Sequence, residues 1–206
     1  MAVTNGYVTA AALKATLSIT GTTFDADIDA VINSSSRTID QACGRRFWAD
    51  AAATSVRTYT PDSWRRVMID DLITLTSLKV DQDGDGTFEE TWVVNTDCVL
   101  EPLNAAAETP VRPYESILVR KLARKYFPVD VERSVQVTGK FGWPAIPDEI
   151  ATATSVLAGK LFKRAREAPF GIVSFGADST AAMRIARTDP DVANLIGPFV
   201  RHTPFL

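Results

Sequence analysis

Val135-Gln-Val-Thr-Gly-Lys-Phe-Gly-Trp143-Pro-Ala-Ile-Pro147 runs directly into Asp148-Glu-Ile-Ala-Thr-Ala-Thr-Ser-Val-Leu157, and the periodicity of the chain changes between the two. Up to Phe141 apolar and polar residues alternate, the pattern of a half-buried strand; after Pro147 apolar residues recur every three or four positions, the pattern of a helix buried on one side. Proline at the first helical position needs no amide partner, and Asp148 and Glu149 place negative charge where the helix dipole favours it. Ile150, Ala153, Thr154, Leu157, Leu161, Phe162 and Ala165 form one stripe. Lys160, Lys163, Arg164 and Arg166 gather toward the end, matching the dipole first and offering a partner surface second. Pro169 ends the helix.

Upstream, the strand pattern reaches back to Val56. Val56–Thr60, Arg66–Ile69, Leu75–Val80, Glu89–Val94, Cys98–Glu101, Ser116–Arg120 and Ser134–Phe141 read as strands, punctuated by Pro61-Asp62, Asn95-Thr96-Asp97 and Thr109-Pro110. Apart from a marginal stretch at Leu122–Phe127, no gap holds a crossover helix, so the pairing is expected to be antiparallel. Ahead of this region come two helices. Thr9 caps a short one carrying Leu13 and Leu17. After a loop from Ser18 to Thr23 around Gly21, Thr23 caps a second, with Asp25 and Asp27 in its first turn. Phe24, Ile28, Val31, Ile32, Ser35, Ile39, Ala42 and Cys43 make its apolar face, Asp25, Asp29, Asn33 and Arg37 its polar one, and Gly44 its stop. Phe47-Trp48 then anchors the helix end in the core.

Downstream, Phe170–Leu206 alternates small and polar residues, with one short helical candidate at Asp189–Leu195. Phe199 and Phe205 look exposed beside prolines and are candidate partner-binding residues, so Gly171–Leu206 reads as a docking arm, seated on its own core or on a neighbour. The expected fold is α+β: a helical core with an inserted antiparallel β region and an extended C-terminal arm. Its expected divisions are 1–50, 51–143, 144–168 and 169–206.

The 206 residues carry 22 basic and 25 acidic side chains, a formal net charge of −3, and 46% hydrophobic residues. That suits a single domain of ordinary size, or one with an appendage, and excludes little except a protein whose main task is gripping phosphates. The longest apolar runs fall far short of the roughly 18 residues of a membrane span. The start has no basic, apolar leader, so a soluble chain that stays in the cytosol is expected. His202 is the only histidine, the fifth residue counted from the end of the sequence given, which argues against imidazole catalysis. Gly171-Ile-Val-Ser-Phe-Gly176 lacks the Lys-Ser/Thr of a phosphate loop. Cys43 and Cys98 have no metal-ligand spacing and read as buried thiols, and Asn33-Ser-Ser lies inside a helical pattern and is no glycosylation site. Charge is polarised in the middle: residues 70–110 carry 1 basic and 10 acidic side chains, whereas 111–140 carry 7 and 3.

Inside the acidic block, Asp81-Gln-Asp83-Gly84-Asp85-Gly86-Thr-Phe-Glu89 places three aspartates at alternate positions, like the first half of a calcium-binding EF-hand loop. Position twelve, where a bidentate glutamate should close the shell, is Trp92, and the flanks read as strands. Asp-Gly steps between alternating runs are also hairpin turns. A plain turn and a calcium site with Asp81, Asp83 and Asp85 as ligands both stand open.

The order of elements, with Tyr7-Val-Thr and the Leu13/Leu17 helix, Ile28–Gly44 running into Arg45-Arg46-Phe47, and Val135–Pro147 leading into the helix from Asp148, resembles the head-to-tail connector, or adaptor, family of long-tailed bacteriophages. The likeness spans residues 5–180; the long β region departs from the simpler, mostly helical members. The resemblance implies a virion protein of the neck, made in the host cytoplasm. Copies of it would form a ring, typically of twelve, that joins the portal to head-completion, stopper or tail proteins. Genome DNA would pass through its channel without sequence-specific binding, with no catalytic residues, no cofactor and no membrane. The competing readings are another head or tail completion protein, a calcium-dependent binding module centred on Asp81–Asp85, and an enzyme built on the carboxylates of Asp70-Asp71 and that loop. Adjacent strand residues point to opposite faces, which makes Asp70 and Asp71 a poor catalytic pair.

Overall fold

A computed structural model describes residues 2–167 and 189–201. The chain forms two compact units, one from the described residues of Met1–Phe47 and Ile146–Leu206, the other from Trp48–Ala145. It is a mixed α+β protein. No helix among the described residues is long and apolar enough to cross a membrane.

The helical unit contains α1 (Ala10–Thr16), α2 (Asp25–Cys43), α3 (Asp148–Glu167) and α4 (Pro190–Ile196). Thr9 caps α1, its hydroxyl accepting from Ala12 N–H. The expected Thr23 cap is not formed; α2 begins one residue later, after Phe24, with no side-chain cap. The ring of Phe24 instead packs edge-on against Phe162, so burial of an aromatic outweighs one hydroxyl bond here. Gly44 ends α2 in the left-handed conformation at φ 65°. Pro147 precedes α3 and its carbonyl accepts the first helical bond, from Ala151 N–H at 3.0 Å, so the first helical residue is Asp148. Leu13, Ile28, Val31, Ile32, Ala158 and Phe162 form one buried cluster from three helices.

The β unit is a six-stranded antiparallel sheet: β1 (Ser55–Tyr59), β2 (Arg66–Val80), β3 (Glu90–Trp92), β4 (Cys98–Glu101), β5 (Tyr114–Val119) and β6 (Val135–Phe141). The order is β1-β6-β2-β5-β4, with β3 also paired to β2. The two strands expected at Arg66–Ile69 and Leu75–Val80 are one strand of 15 residues. Residues 70–74, left outside the expected strands, continue it, and each carboxylate of Asp70-Asp71 has a partner on its own face: Asp70 accepts from Arg57 and Tyr59, Asp71 from the indole of Trp143.

Straight, β2 would span roughly 50 Å. Its C-terminal end pairs with β3 (Leu78↔Trp92), its N-terminal end with β5 (Arg66↔Leu118), and β5 with β4 (Val99↔Leu118). Since only residues 93–97 separate β3 from β4, the two ends of β2 must approach each other. The register shifts between Met68 and Leu72, Leu72 and Thr74, and Leu75 and Ser77 are where it bends. The sheet therefore curls around one core that holds Val67 and Ile69 from one half of β2 and Leu78 and Val80 from the other, with Trp92, Ile117, Phe127 and Phe141. Leu122–Phe127, the marginal helix candidate, is irregular.

Candidate functional site

The aspartate loop is a hairpin connection between β2 and β3. Asp81 is buried, and its carboxylate accepts from Gly84 N–H at 2.7 Å and Gly86 N–H at 2.9 Å, folding the loop back on its first residue. Gly84 and Gly86 hold φ of 80° and 88°, which the alternate glycines permit at little cost. Asp83 and Asp85 are exposed and accept from Asp85 N–H and Thr87 N–H. One carboxylate oxygen from each of Asp81, Asp83, Asp85 and Glu89 lies within 4.8 Å of the others, so four donors converge, Glu89 being one that sequence reading did not assign. Trp92 points into the core and stacks on Phe127 at 4.8 Å, so position twelve supplies no ligand.

Because Asp81 organises this turn through backbone N–H groups, Asp81→Ala is expected to cost the β unit about 2 kcal/mol in a urea titration with chelator present. Asp83→Ala should cost under about 0.5 kcal/mol, as an exposed position should. Equal losses from the two would contradict the role given to Asp81.

Three further connections meet the aspartate loop at the same end of the sheet. Gln82 Nε2 donates to the Tyr126 carbonyl at 3.0 Å, Phe127 N–H to that of Trp64 at 2.9 Å, Val119 N–H to that of Arg65 at 2.8 Å, and Arg120 N–H to that of Asp97 at 2.9 Å. The chain enters β1 and leaves β6 at the opposite end, where Ser55 faces Gly139. At the loop end Trp64 and Tyr126 are 60% and 56% exposed and Leu122 is 88% exposed, the most exposed of the large apolar side chains among the described residues. Beside them Arg120, Lys121, Arg124 and Lys125 follow one another without an acid, whereas residues 81–89 hold four acids without a base. Lys125 pairs with Asp97 at 3.2 Å and Arg120 donates to the Asn95 carbonyl, but Lys121, Arg124, Asp83, Asp85 and Glu89 make no ion pair among the described residues. Sequence reading registered the acidic and basic blocks and missed the apolar residues between them; a leucine isolated among four cations was the available signal.

The C-terminal aromatics divide. Phe199 is not exposed: it is buried and packs edge-on against Phe47 at 5.8 Å, while Val192 and Ile196 of α4 are buried too. Val192, Ile196 and Phe199 stand four and three residues apart and so make one apolar stripe, which explains why this stretch seats on its own unit. Arg201 N–H donates to the Cys43 carbonyl at 2.8 Å, and Lys160 pairs with Asp189, the cap of α4. Residues 189–201 are thus core and no extended arm. Phe205 and His202, with residues 168–188, lie outside the described residues.

The polar face of α2 holds the N-terminal segment. Asn33 binds Ala2 and Thr4, and Arg37 donates to the Asn5 carbonyl at 2.9 Å and to Asp40 at 2.8 Å. The Tyr7 hydroxyl donates to Asp40 and accepts from Phe47 N–H at 2.9 Å, linking the segment to both ends of this cluster. Burial pushes the Asp40 carboxyl up to about 6, against the opposing pull of Tyr7 and Arg37. The folded state therefore holds a proton here that the unfolded chain has released, and the site loses stability as pH rises from about 4 to about 6, by at most about 3 kcal/mol. Asp40→Asn should flatten that part of the pH profile, read from unfolding midpoints of both proteins; parallel profiles would contradict it.

The carboxylates of the enzyme reading are committed elsewhere. Asp70 is 2.7 Å from Arg57, whose guanidinium lies 4.0 Å over the Phe141 ring and also pairs with Asp50 at 2.8 Å; buried Asp71 faces the other way. Cys43 and Cys98 are free and buried, and burial pushes their thiols up to about 12 and about 11, so neither is poised as a nucleophile.

No family model matches the chain, and no curated protein matches it. Solved structures share its fold, among them two with a TM-score above 0.5. One is the neck of an empty gene transfer agent particle, computed with C6 symmetry, at 18% identity and TM-score 0.53, covering 100% of this chain and 95% of that one. The other is the virion of a native gene transfer agent particle, at 18% identity and TM-score 0.52 over the same shares. The likeness extends through both units.

Proposed function

We propose that this chain is a structural protein of a virion neck, located at the junction of head and tail, and not an enzyme. Copies form a ring that bridges the portal to head-completion or tail proteins and leaves a channel for the genome. The observation that carries this reading is the full-length match to a neck chain, helical unit and β unit together. A formal charge of −3 suits a conduit through which DNA must slide, because tight phosphate contacts would hold it. Electron microscopy of the purified protein, alone and mixed with its portal, tests the reading: annular particles and density capping the portal are expected. A subunit that stays single in both preparations, or normal particles from a genome lacking the gene, would refute it.

A calcium-dependent binding module is the second reading, favoured by the convergence of Asp81, Asp83, Asp85 and Glu89. Under it, millimolar calcium raises the melting temperature and Asp83→Ala abolishes the rise; under the turn reading calcium changes nothing.

A further inference from the structure

We infer that the loop end of the β unit is a contact between neighbouring copies, the basic Arg120–Lys125 loop of one copy meeting the acidic Asp81–Glu89 loop of the next, with Leu122, Trp64 and Tyr126 buried between them. This deepens the ring reading and rests on it.

Two separate observations converge. The first is apolar: Leu122 is 88% exposed on an irregular loop, with the exposed rings of Trp64 and Tyr126 at the same end of the sheet. A leucine so exposed is left largely uncovered by the described residues and gains when a partner covers it, and aromatics at the same end are the residues that anchor interfaces. The second is charge. Four cations and four acids occupy separate loops of one surface, joined by the Gln82–Tyr126 hydrogen bond. Lys121 and Arg124 on one side and Asp83, Asp85 and Glu89 on the other find no ion pair within the described chain.

A surface that carries both signs side by side is complementary to a second copy of itself displaced sideways, which is the head-to-tail contact that closes a ring. Nucleic acid fits this end less well, since the acidic loop would face phosphate at the same place. A neighbour's acidic loop would also neutralise the cations.

The test uses the full chain and measures assembly by light scattering and native mass spectrometry. Leu122→Asp is expected to weaken association about 30-fold or more, as loss of an interface anchor does. The pair Lys121→Glu with Arg124→Glu should act likewise, with the melting temperature of the subunit unchanged, because all three side chains lie outside the core. Adding Asp83→Lys and Asp85→Lys to the charge-reversed chain exchanges the signs at these four positions and should restore assembly, a rescue that a merely disruptive change would not give. Wild-type rings with all variants assembling equally well would overturn this contact and leave the ring standing, whereas a wild-type chain that never assembles would overturn the ring itself. Charge-reversed copies that assemble normally but lose retention on DNA would assign the loop to phosphate and also overturn the contact.

Discussion

Gly142→Ala is expected to destabilise the β unit by about 3 kcal/mol or more. Gly142 has φ of 108°, a conformation that L side chains rarely adopt. A Cβ there would stand 2.1 Å from the Trp48 carbonyl oxygen and 2.7 Å from the Ala49 Cα. Both obstacles are backbone, so no rotamer change relieves them. The strand exit is held as well: Gly142 N–H donates to the Asp71 carbonyl at 2.7 Å and Asp50 N–H to that of Phe141 at 2.8 Å. Urea titration followed by far-ultraviolet circular dichroism checks the loss. A variant within about 0.5 kcal/mol of the parent would mean that the segment from Trp48 to Ala49 moves aside freely, contrary to the packing described.

Trp143→Ala should cost about 3–5 kcal/mol, the range for truncating a buried large aromatic. Trp143 is fully buried, and its indole N–H donates to buried Asp71 Oδ2 at 3.0 Å. Trp143→Phe separates the two contributions: it keeps much of the ring and removes the donor, and should cost about 2 kcal/mol, as losing a hydrogen bond to a buried carboxylate does. The expected order of unfolding midpoints is parent, then Trp143→Phe, then Trp143→Ala. If phenylalanine matches the parent, the indole–carboxylate bond contributes nothing to stability. If it matches alanine, the bond dominates the packing.

Local signals were legible and long-range ones were not. Thr9, Gly44 and the acidic first turn of α3 act within a few residues of where they stand, so their reading needs no partner from elsewhere. Asp70-Asp71 is different. Residues 70–74 fall outside any expected strand, and the strand runs on through the pair with partners from elsewhere: Arg57 and Tyr59 stand 13 and 11 residues away and Trp143 stands 72 away. Phe199 looked exposed for the same reason: its cover, Phe47, comes from the far end of the sequence. At the candidate site, the alternate aspartates of residues 81–85 announced a turn or a cation loop, and Glu89 joined them only through the turn's own closure. The apolar residues of the loop end stayed hidden, since Trp64 and Leu122 are far apart in sequence and each is unremarkable alone.

By itself, then, the sequence determined the class of fold, the existence of its helices, the antiparallel sense of its sheet and the polarity of its middle, because periodicity and connection lengths are local and additive. Tertiary structure alone decided that β2 is one bent strand, that residues 189–201 belong to the core, and that an acidic loop, a basic loop and three exposed apolar side chains share one end of a curled sheet. Those outcomes depend on which distant residues cover or satisfy one another, and that pairing is settled only when the chain closes on itself.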